Sequence, residues 1–541
     1  MIPFRRHLAI VCIAALSITA GGCKQQTKTP ASGAETRQDG SIYAGSFNKA
    51  GQAEGEGTIT YPDGRKYTGQ FANGVKQGNG VMTFANGMRY TGQFINDAME
   101  GQGTLSYPDG QLYAGQFKNG KFHGTGTFHY RHAVFTGTFV NGKKEGQGTL
   151  AFTDGGTHTG QFVDDLPNGQ GEAKYANGET YSGEFKDGKK HGQGTWSSAN
   201  GEKYSGQFED DAFQGPGTFT FSDGSIHKGL FNRGLPDGQG MFTSSSGDKH
   251  IGVFAQGVAN GPGTHTYADG RIYKGNYKDG HLFGEGSATF PNGNHYEGQF
   301  AHDKFNGDGK LTNPNGEVYI GQWQNGLENG KGTFTYPDGE QYIGQFADGL
   351  FMGEGALTTA DGRKYVGQFA NGAFHGQGSL FNRSGEFFVG TWQAGKMNGP
   401  GSVTYADGSK FEGTFKDDLF SGQGIMTYAN GSRYDGLWEG GAYQGLGTLT
   451  TATGETYTGN WQGGRLVGQG TMTLPDGSTY QGEFANNTFN GMGTYTAADG
   501  ATYVGQWRDG LQNGYGVLTQ VDGSVLEGLF RNGEFSGESE E

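Results

Sequence analysis

Histidine and cysteine are the side chains through which this chain could hold a metal or move a proton, so their spacing is the first test for chemistry. Of the 13 histidines, His123, His191 and His375 share one recurring place in a glycine-rich segment but stand several segments apart, so they cannot converge on one ion. His227 and His250 replace an aromatic residue at equivalent places in adjacent segments. In a hairpin array that spacing is about 10 Å, too far to share a metal without a further ligand, and an aromatic-like polar replacement accounts for both. Aspartates such as Asp63, Asp109, Asp338 and Asp361 sit before glycines in turn strings, without the nine-residue period of calcium-binding rolls. Gly-x-Gly opens strands here, with no helix after it to cradle a phosphate, and the serines have no fixed His and Asp partners. The expectation is a non-catalytic protein with no metal and no cofactor.

The elements that carry these residues are legible from composition. A chain of 541 residues would ordinarily hold three or four domains. Glycine supplies 108 residues, hydrophobic types only 33% and aromatics 13%, so Phe, Tyr and Trp carry the apolar content and several thick cores cannot be filled. Glycine does not recur every third residue, which excludes collagen, and regular aromatics argue against disorder. A periodic β architecture remains.

Self-similarity shows the period. Counted from the first aromatic of Tyr-x-Gly-x-Phe, units begin at Tyr43, Tyr67, Tyr90, Tyr113 and Phe135, and so on to Tyr503 and Leu526, twenty-two starts in all; from Phe135 onward every interval is 23 residues. Inside a unit the period is two: Tyr67, Gly69 and Phe71 alternate with Thr68, Gln70 and Ala72. Pro-Asp-Gly and Ala-Asn-Gly read as tight hairpin turns and Asn-Gly-x-x-x-Gly as a longer turn of the same kind. Each unit is thus a β-hairpin, and the fold class is all-β. The pattern Tyr319, Gly321, Trp323, Asn325, Gly326, Gly330, Gly332 resembles the MORN repeat, and the resemblance covers about residues 43–537. It implies an elongated, single-layer, twisted antiparallel β-meander used for interaction or scaffolding, in a family first linked to membranes whose members often bind proteins or self-associate. Two strands per unit would make a ribbon on the order of 200 Å long.

Alternation puts the zero and plus-four aromatics on one face with residues such as Leu357 and Tyr336, and Thr and Gln, including Gln70, Gln322 and Gln345, on the other. Each glycine between the aromatics leaves room for a neighbouring ring. A second aromatic series, Phe122, Phe213, Phe305, Phe351, Phe374, Phe420, Tyr443 and Phe489, falls in the glycine-rich segment where other units carry Lys76, Lys190 or Glu328. Rings packed on adjacent loops and a partner-facing edge both fit it, so these eight are the candidate partner-binding residues. Residues His227 to Gly257 match the aromatic pattern weakly and mark a hinge or a specialised zone.

The ends read separately. Arg5, Arg6 and His7, the apolar run Leu8 to Ala20, and Gly21–Gly22 before Cys23 form a secretory signal. It resembles the lipobox of bacterial lipoproteins, with Ala20 standing where leucine is commonest. The resemblance implies a signal peptide over 1–22 and a lipidated Cys23; plain secretion by cleavage near Gly22 is the alternative. Cys12 would leave with the signal, so no intrachain disulfide can form. Residues 23–41 read as a flexible tether, 42–537 as the array and 538–541 as an acidic tail. Loss of residues 1–22 removes two arginines and no acid from a chain of net charge −15, which disfavours nucleic acid and anionic lipid as partners. The expected protein is a lipid-anchored cell-envelope scaffold for partner proteins, with a second copy of the chain as a candidate partner. Lys24 after the lipidated cysteine points to an outer membrane, facing the periplasm, in a two-membrane organism. A glycan or cell-wall binding module is the alternative, and phospholipid-binding repeats come third.

Overall fold

The computed structural model describes residues 32–537. These contain 45 strands, from Ser32–Thr36 to Glu534–Gly537, and no helix. They fall into two compact units, one running through Ser222 with Asn232–Gly234 and the other comprising Asp223–Phe231 with Leu235 onward. Within each unit successive strands pair antiparallel, giving the all-β, single-layer meander expected from the period of two. Ser32–Thr36, placed in the tether by sequence, instead pairs with Ile42–Phe47 and starts the sheet. The signal segment, Cys23 and the acidic tail lie outside the described residues.

One repeat explains the others. Strand Val318–Gln324 leads through Asn325–Gly326 into strand Leu327–Thr335. Asn325 and Gly326 have φ of 53° and 93°. Two positive φ values in a row match the twist of the flanking strands, so Asn-Gly closes a two-residue hairpin. Tyr336 then donates its N–H to Glu340 O at 2.8 Å, and Gly339 its N–H to Tyr336 O at 3.1 Å, leaving Pro337–Gly339 as a three-residue loop. The two turns therefore have the opposite relative lengths to those the sequence suggested. The stretch after Asn-Gly is strand, and its extra residues are taken up by a bulge.

That bulge lies where pairing steps from Gly321↔Gly332 to Trp323↔Glu328, so Asn329 to Lys331 face Gln322 alone. Gly330 supplies the positive φ of 92° that the bulge needs. A bulged strand leaves an N–H without a ladder partner, and the Gln322 side-chain oxygen accepts that of Lys331 at 3.0 Å. Gln70, Gln93, Gln116 and Gln506 do the same for their own units. The fixed glutamine row is a repair of the backbone.

The second glycine of Gly-x-Gly has a different task. Gly321 and Gly332 face each other across the strands, and the Tyr319 ring lies over both. The room is used by the ring of the same unit rather than by a neighbour. Tyr319 donates its hydroxyl to Gln322 O at 2.8 Å and is 1% exposed. Its edge meets Trp323 at 5.1 Å and the next unit's Phe346 at 4.9 Å, both near perpendicular, and Tyr342, Phe346, Phe369 and Tyr365 continue the series. Each buried ring contributes about 1.5–3 kcal/mol and each edge-to-face pair about 0.5–1.5 kcal/mol more. Across these repeats the core is a single file of rings in which each repeat stabilises its neighbours.

Candidate functional site

All eight members of the second aromatic series lie half-buried on the ring face. Each stacks flat on the zero-position ring of its own unit: Phe122 on Tyr113 at 3.9 Å, Phe213 on Tyr204 at 4.0 Å, Phe305 on Tyr296 at 3.7 Å and Phe351 on Tyr342 at 3.8 Å. Phe374 on Tyr365, Phe420 on Phe411 and Phe489 on Tyr480 stand at 3.8 Å, and Tyr443 on Tyr434 at 3.6 Å. One face of each ring is thereby used inside the protein. In every one of these units the following unit's turn places a glycine, such as Gly326 for Phe305, whose N–H donates to the ring residue's carbonyl at 2.9–3.0 Å.

Units with lysine at this place use another device. The Nζ of Lys76, Lys144 and Lys190 lies 5.7–6.0 Å from the centroids of Tyr67, Phe135 and Tyr181, so a cation covers the ring that a Phe covers elsewhere. Burial pushes the Lys144 ammonium below its usual pKa, with Asp165 opposing. There the following turn carries Asp97, Asp165 or Asp211, whose carboxylate accepts the backbone N–H of the lysine at 2.9–3.0 Å. A position that alternates between Phe and Lys is thus compatible with one buried layer.

The opposite face is open. Cross-strand threonine pairs run along it, Thr58 with Thr68 at 3.0 Å and Thr448 with Thr458 at 2.9 Å. In the first compact unit a shallow depression of about 750 Å³ lies against Thr125, Thr127 and Thr136. In the second compact unit four consecutive repeats depart from threonine on this face. Ile320, Ile343, Val366 and Val389, one residue after the zero position in four consecutive repeats, are 54%, 53%, 47% and 40% exposed. Strand register sets them in one line: Ile320 pairs with Thr333, Thr333 with Ile343, Ile343 with Ala356, Ala356 with Val366, Val366 with Ser379, and Ser379 with Val389. Six interstrand steps give a row of about 29 Å in which the four aliphatic side chains alternate with Thr333, Ala356 and Ser379. Sequence reasoning assigned this face to Thr and Gln and missed the row. The signal is present only when the position after the zero aromatic is compared unit by unit: it is Thr in 68, 91, 136 and 159 but β-branched and apolar from 320 to 389.

The histidines singled out by sequence do not converge on one another. His227 and His250 each meet Phe254 edge-on, at 4.6 and 5.4 Å, so a phenyl ring separates them. Both are nearly fully buried, their Nε2 atoms have no partner, and burial lowers each pKa to about 4. His191 and His375 serve through their backbone carbonyls, which accept from Tyr181 and Tyr365 at 3.3 Å. Among the described residues no group of three His, Cys, Asp or Glu side chains could hold a metal ion.

Twenty-one consecutive stretches, from 43–64 to 503–525, match the MORN repeat and together span most of the sequence. The chain belongs to the MORN-repeat family. MORN repeats point to binding or scaffolding through the repeats themselves, and the family is typically non-catalytic. The truncated hairpin that begins near Leu526 lies beyond the matched stretches. No curated protein matches the chain. Among solved structures, the TCP domain of SAS-4 from Drosophila melanogaster in complex with a proline-rich motif of Ana2 is similar at 15% identity, over 28% of this chain and 83% of that one, with a TM-score of 0.20. The TCP10 domain of CPAP from Danio rerio aligns at 12% identity over 49% of this chain and 99% of its own, with a TM-score of 0.13. Virginiamycin B lyase from Staphylococcus aureus aligns at 10% identity over 52% and 88%, with a TM-score of 0.10.

Proposed function

We propose that this MORN-repeat protein is a non-catalytic scaffold, held at a bacterial cell-envelope membrane through lipidated Cys23, that binds partner proteins on the open face of its sheet. The observation that carries this reading is the row from Ile320 to Val389. Four aliphatic β-branched side chains left half in water on alternate strands of a seven-strand stretch gain most when another protein covers them. The alternative, glycan binding, would need aromatic faces as platforms, and the rings instead stack on one another and lie over glycines. Acidity weighs against anionic phospholipid as the third.

Two measurements test the reading. Mature protein with Cys23→Ser, cross-linked in envelope extract, is expected to capture a reproducible set of proteins. Ile343→Lys with Val366→Lys is expected to lower that capture at least tenfold with unchanged thermal unfolding, because both side chains are solvent-facing. Undiminished capture by the double variant would move the partner site elsewhere, and capture of wall or polysaccharide fragments would favour the glycan reading. For the anchor, wild-type protein is expected to carry an acyl mass at its mature N-terminus and to partition with membranes, and Cys23→Ser to lose both.

A further inference from the structure

The ring layer has a gap. In the unit that begins at His158 three positions carry small or short side chains together: imidazole at the zero position, Pro167 where eight other units place the stacking ring, and Ala173 directly across the strands from His158. A cavity of about 500 Å³ remains over the imidazole, walled by Leu150, Phe152, Leu166, Tyr175 and Phe185 as well as by Pro167 and Ala173. That volume lies within the range of small-molecule sites. Other departures from the pattern close up. Ala288 also stands across from its zero residue, Tyr273, but Leu282 in the same unit is fully buried beside it. His250 likewise has a small residue, Ala259, at the stacking place, yet His265 stands across from it with the two rings 5.8 Å apart.

The floor of the cavity is ordered. His158 is 6% exposed, and its ring edge is fixed between Phe162 at 5.2 Å and Phe185 at 4.5 Å, both perpendicular to it. Its Nε2 has no hydrogen-bond partner. In eight units the corresponding ring is covered by a second ring at 3.6–4.0 Å and within 8–22° of parallel. Those copies show what the geometry accepts on the side where this unit places Pro167. Phe152 and Leu166, 43% and 46% exposed, form an apolar rim, and Asp154, Asp165 and Lys174 stand at the mouth. Asp154 and Asp165 each use one carboxylate oxygen on a backbone N–H, of Gly156 and Lys144, at 2.9 Å. The balance of charge at the mouth is negative.

We infer that the cavity over His158 is a binding site for a planar aromatic small molecule of one or two fused rings, uncharged or cationic at its outer end, whose ring takes the place of the missing stacking side chain. The site lies in the first compact unit and uses none of the apolar row, which belongs to the second. Flat contact with the imidazole and burial against Leu150, Phe185 and Pro167 supply the attraction, and the two mouth carboxylates favour an amine over a carboxylate substituent.

Calorimetric and NMR titration of the mature chain with indole, tryptamine and indole-3-acetate tests this. Saturable binding is expected for indole, tighter binding for tryptamine and weaker binding for indole-3-acetate, with a ring-current shift of the His158 imidazole signal. Pro167→Phe rebuilds the arrangement of the other eight units and is expected to weaken indole binding at least tenfold. Ala173→Leu, which narrows the cavity from the other strand, is expected to weaken it as well, so a folding defect in one variant does not leave the question open. Absence of saturable binding, an unmoved His158 signal, or equal affinity in both folded variants would overturn the assignment.

Discussion

Gly332→Ala is expected to destabilise its part of the array by about 3–5 kcal/mol, the range for loss of a large buried side chain. A Cβ at this position would stand 2.5 Å from the Tyr319 hydroxyl oxygen and 2.6 Å from Cε2. The ring cannot step aside, because Trp323 and Phe346 hold its edges at 5.1 and 4.9 Å and its hydroxyl is bonded to Gln322 O. Nor can the strand retreat, since Gly332 is paired directly to Gly321 in the ladder. The ring must leave, and with it go its burial and two edge-to-face pairs. Because each unit is held by its neighbours, the loss should be local first: amide protection over residues 319–346 is expected to collapse while distant repeats keep theirs. Gly33→Ala is the matched control, also within a strand but with nothing within 4 Å of its added Cβ, and is expected to change stability by no more than about 0.5 kcal/mol. Hydrogen exchange read by mass spectrometry separates the two. Wild-type protection around Tyr319 in Gly332→Ala would show that the rings do not depend on the glycine pairs.

The strands, their two faces and the 23-residue unit were legible because each rests on a pattern repeated some twenty times, in which chance matches cancel. Turn lengths were not. Asn-Gly and Pro-Asp-Gly both promise a hairpin, and only the second positive φ at Gly326 and the bulge at Gly330 decide which loop is short. The strand Ser32–Thr36 was hidden because its sequence lacks aromatics, its pairing being supplied by the backbone of Ile42–Phe47. The eight stacking rings were found as a series, but a series says nothing about direction. Their stacking became visible only with the flat contact of, for example, Phe305 on Tyr296 at 3.7 Å. The apolar row and the His158 cavity were missed for a common reason: both are deviations from the repeat, and a consensus suppresses deviations. The row needs four neighbouring units compared at one position, and the cavity needs three positions of one unit compared at once.

Acid is expected to open the array around His227 and His250. Burial lowers both from the ordinary 6.5 to about 4, so the folded chain keeps them neutral where the unfolded chain has already protonated them. Between these two values the unfolded state binds more protons, and stability therefore falls as pH falls: the contribution is fully present above pH 6.5 and is lost progressively down to about 4. A tenfold change in proton affinity corresponds to about 1.4 kcal/mol, so each histidine forfeits a few kcal/mol at the acid end. The two act on the same packing, since Phe254 touches both rings. His265, 5.8 Å from His250 and itself lowered by burial, adds to the effect, with Asp248 and Asp303 opposing it. The turn aspartates titrate in a different window: backbone and side-chain hydrogen bonds lower Asp63 and Asp109 below the ordinary carboxylate value, so their contribution fades only below about pH 4. Hydrogen exchange compared at pH 7.5 and pH 5, after correction for intrinsic rates, is expected to show loss of protection in peptides covering 227–265 while 319–346 stays protected. The pair His227→Tyr and His250→Tyr restores the side chain that most other units carry, with its hydroxyl bonded as in Tyr319, and is expected to remove the local acid response. Equal loss of protection in both regions at pH 5, or an unchanged acid response in the double variant, would show that the buried imidazoles do not set it.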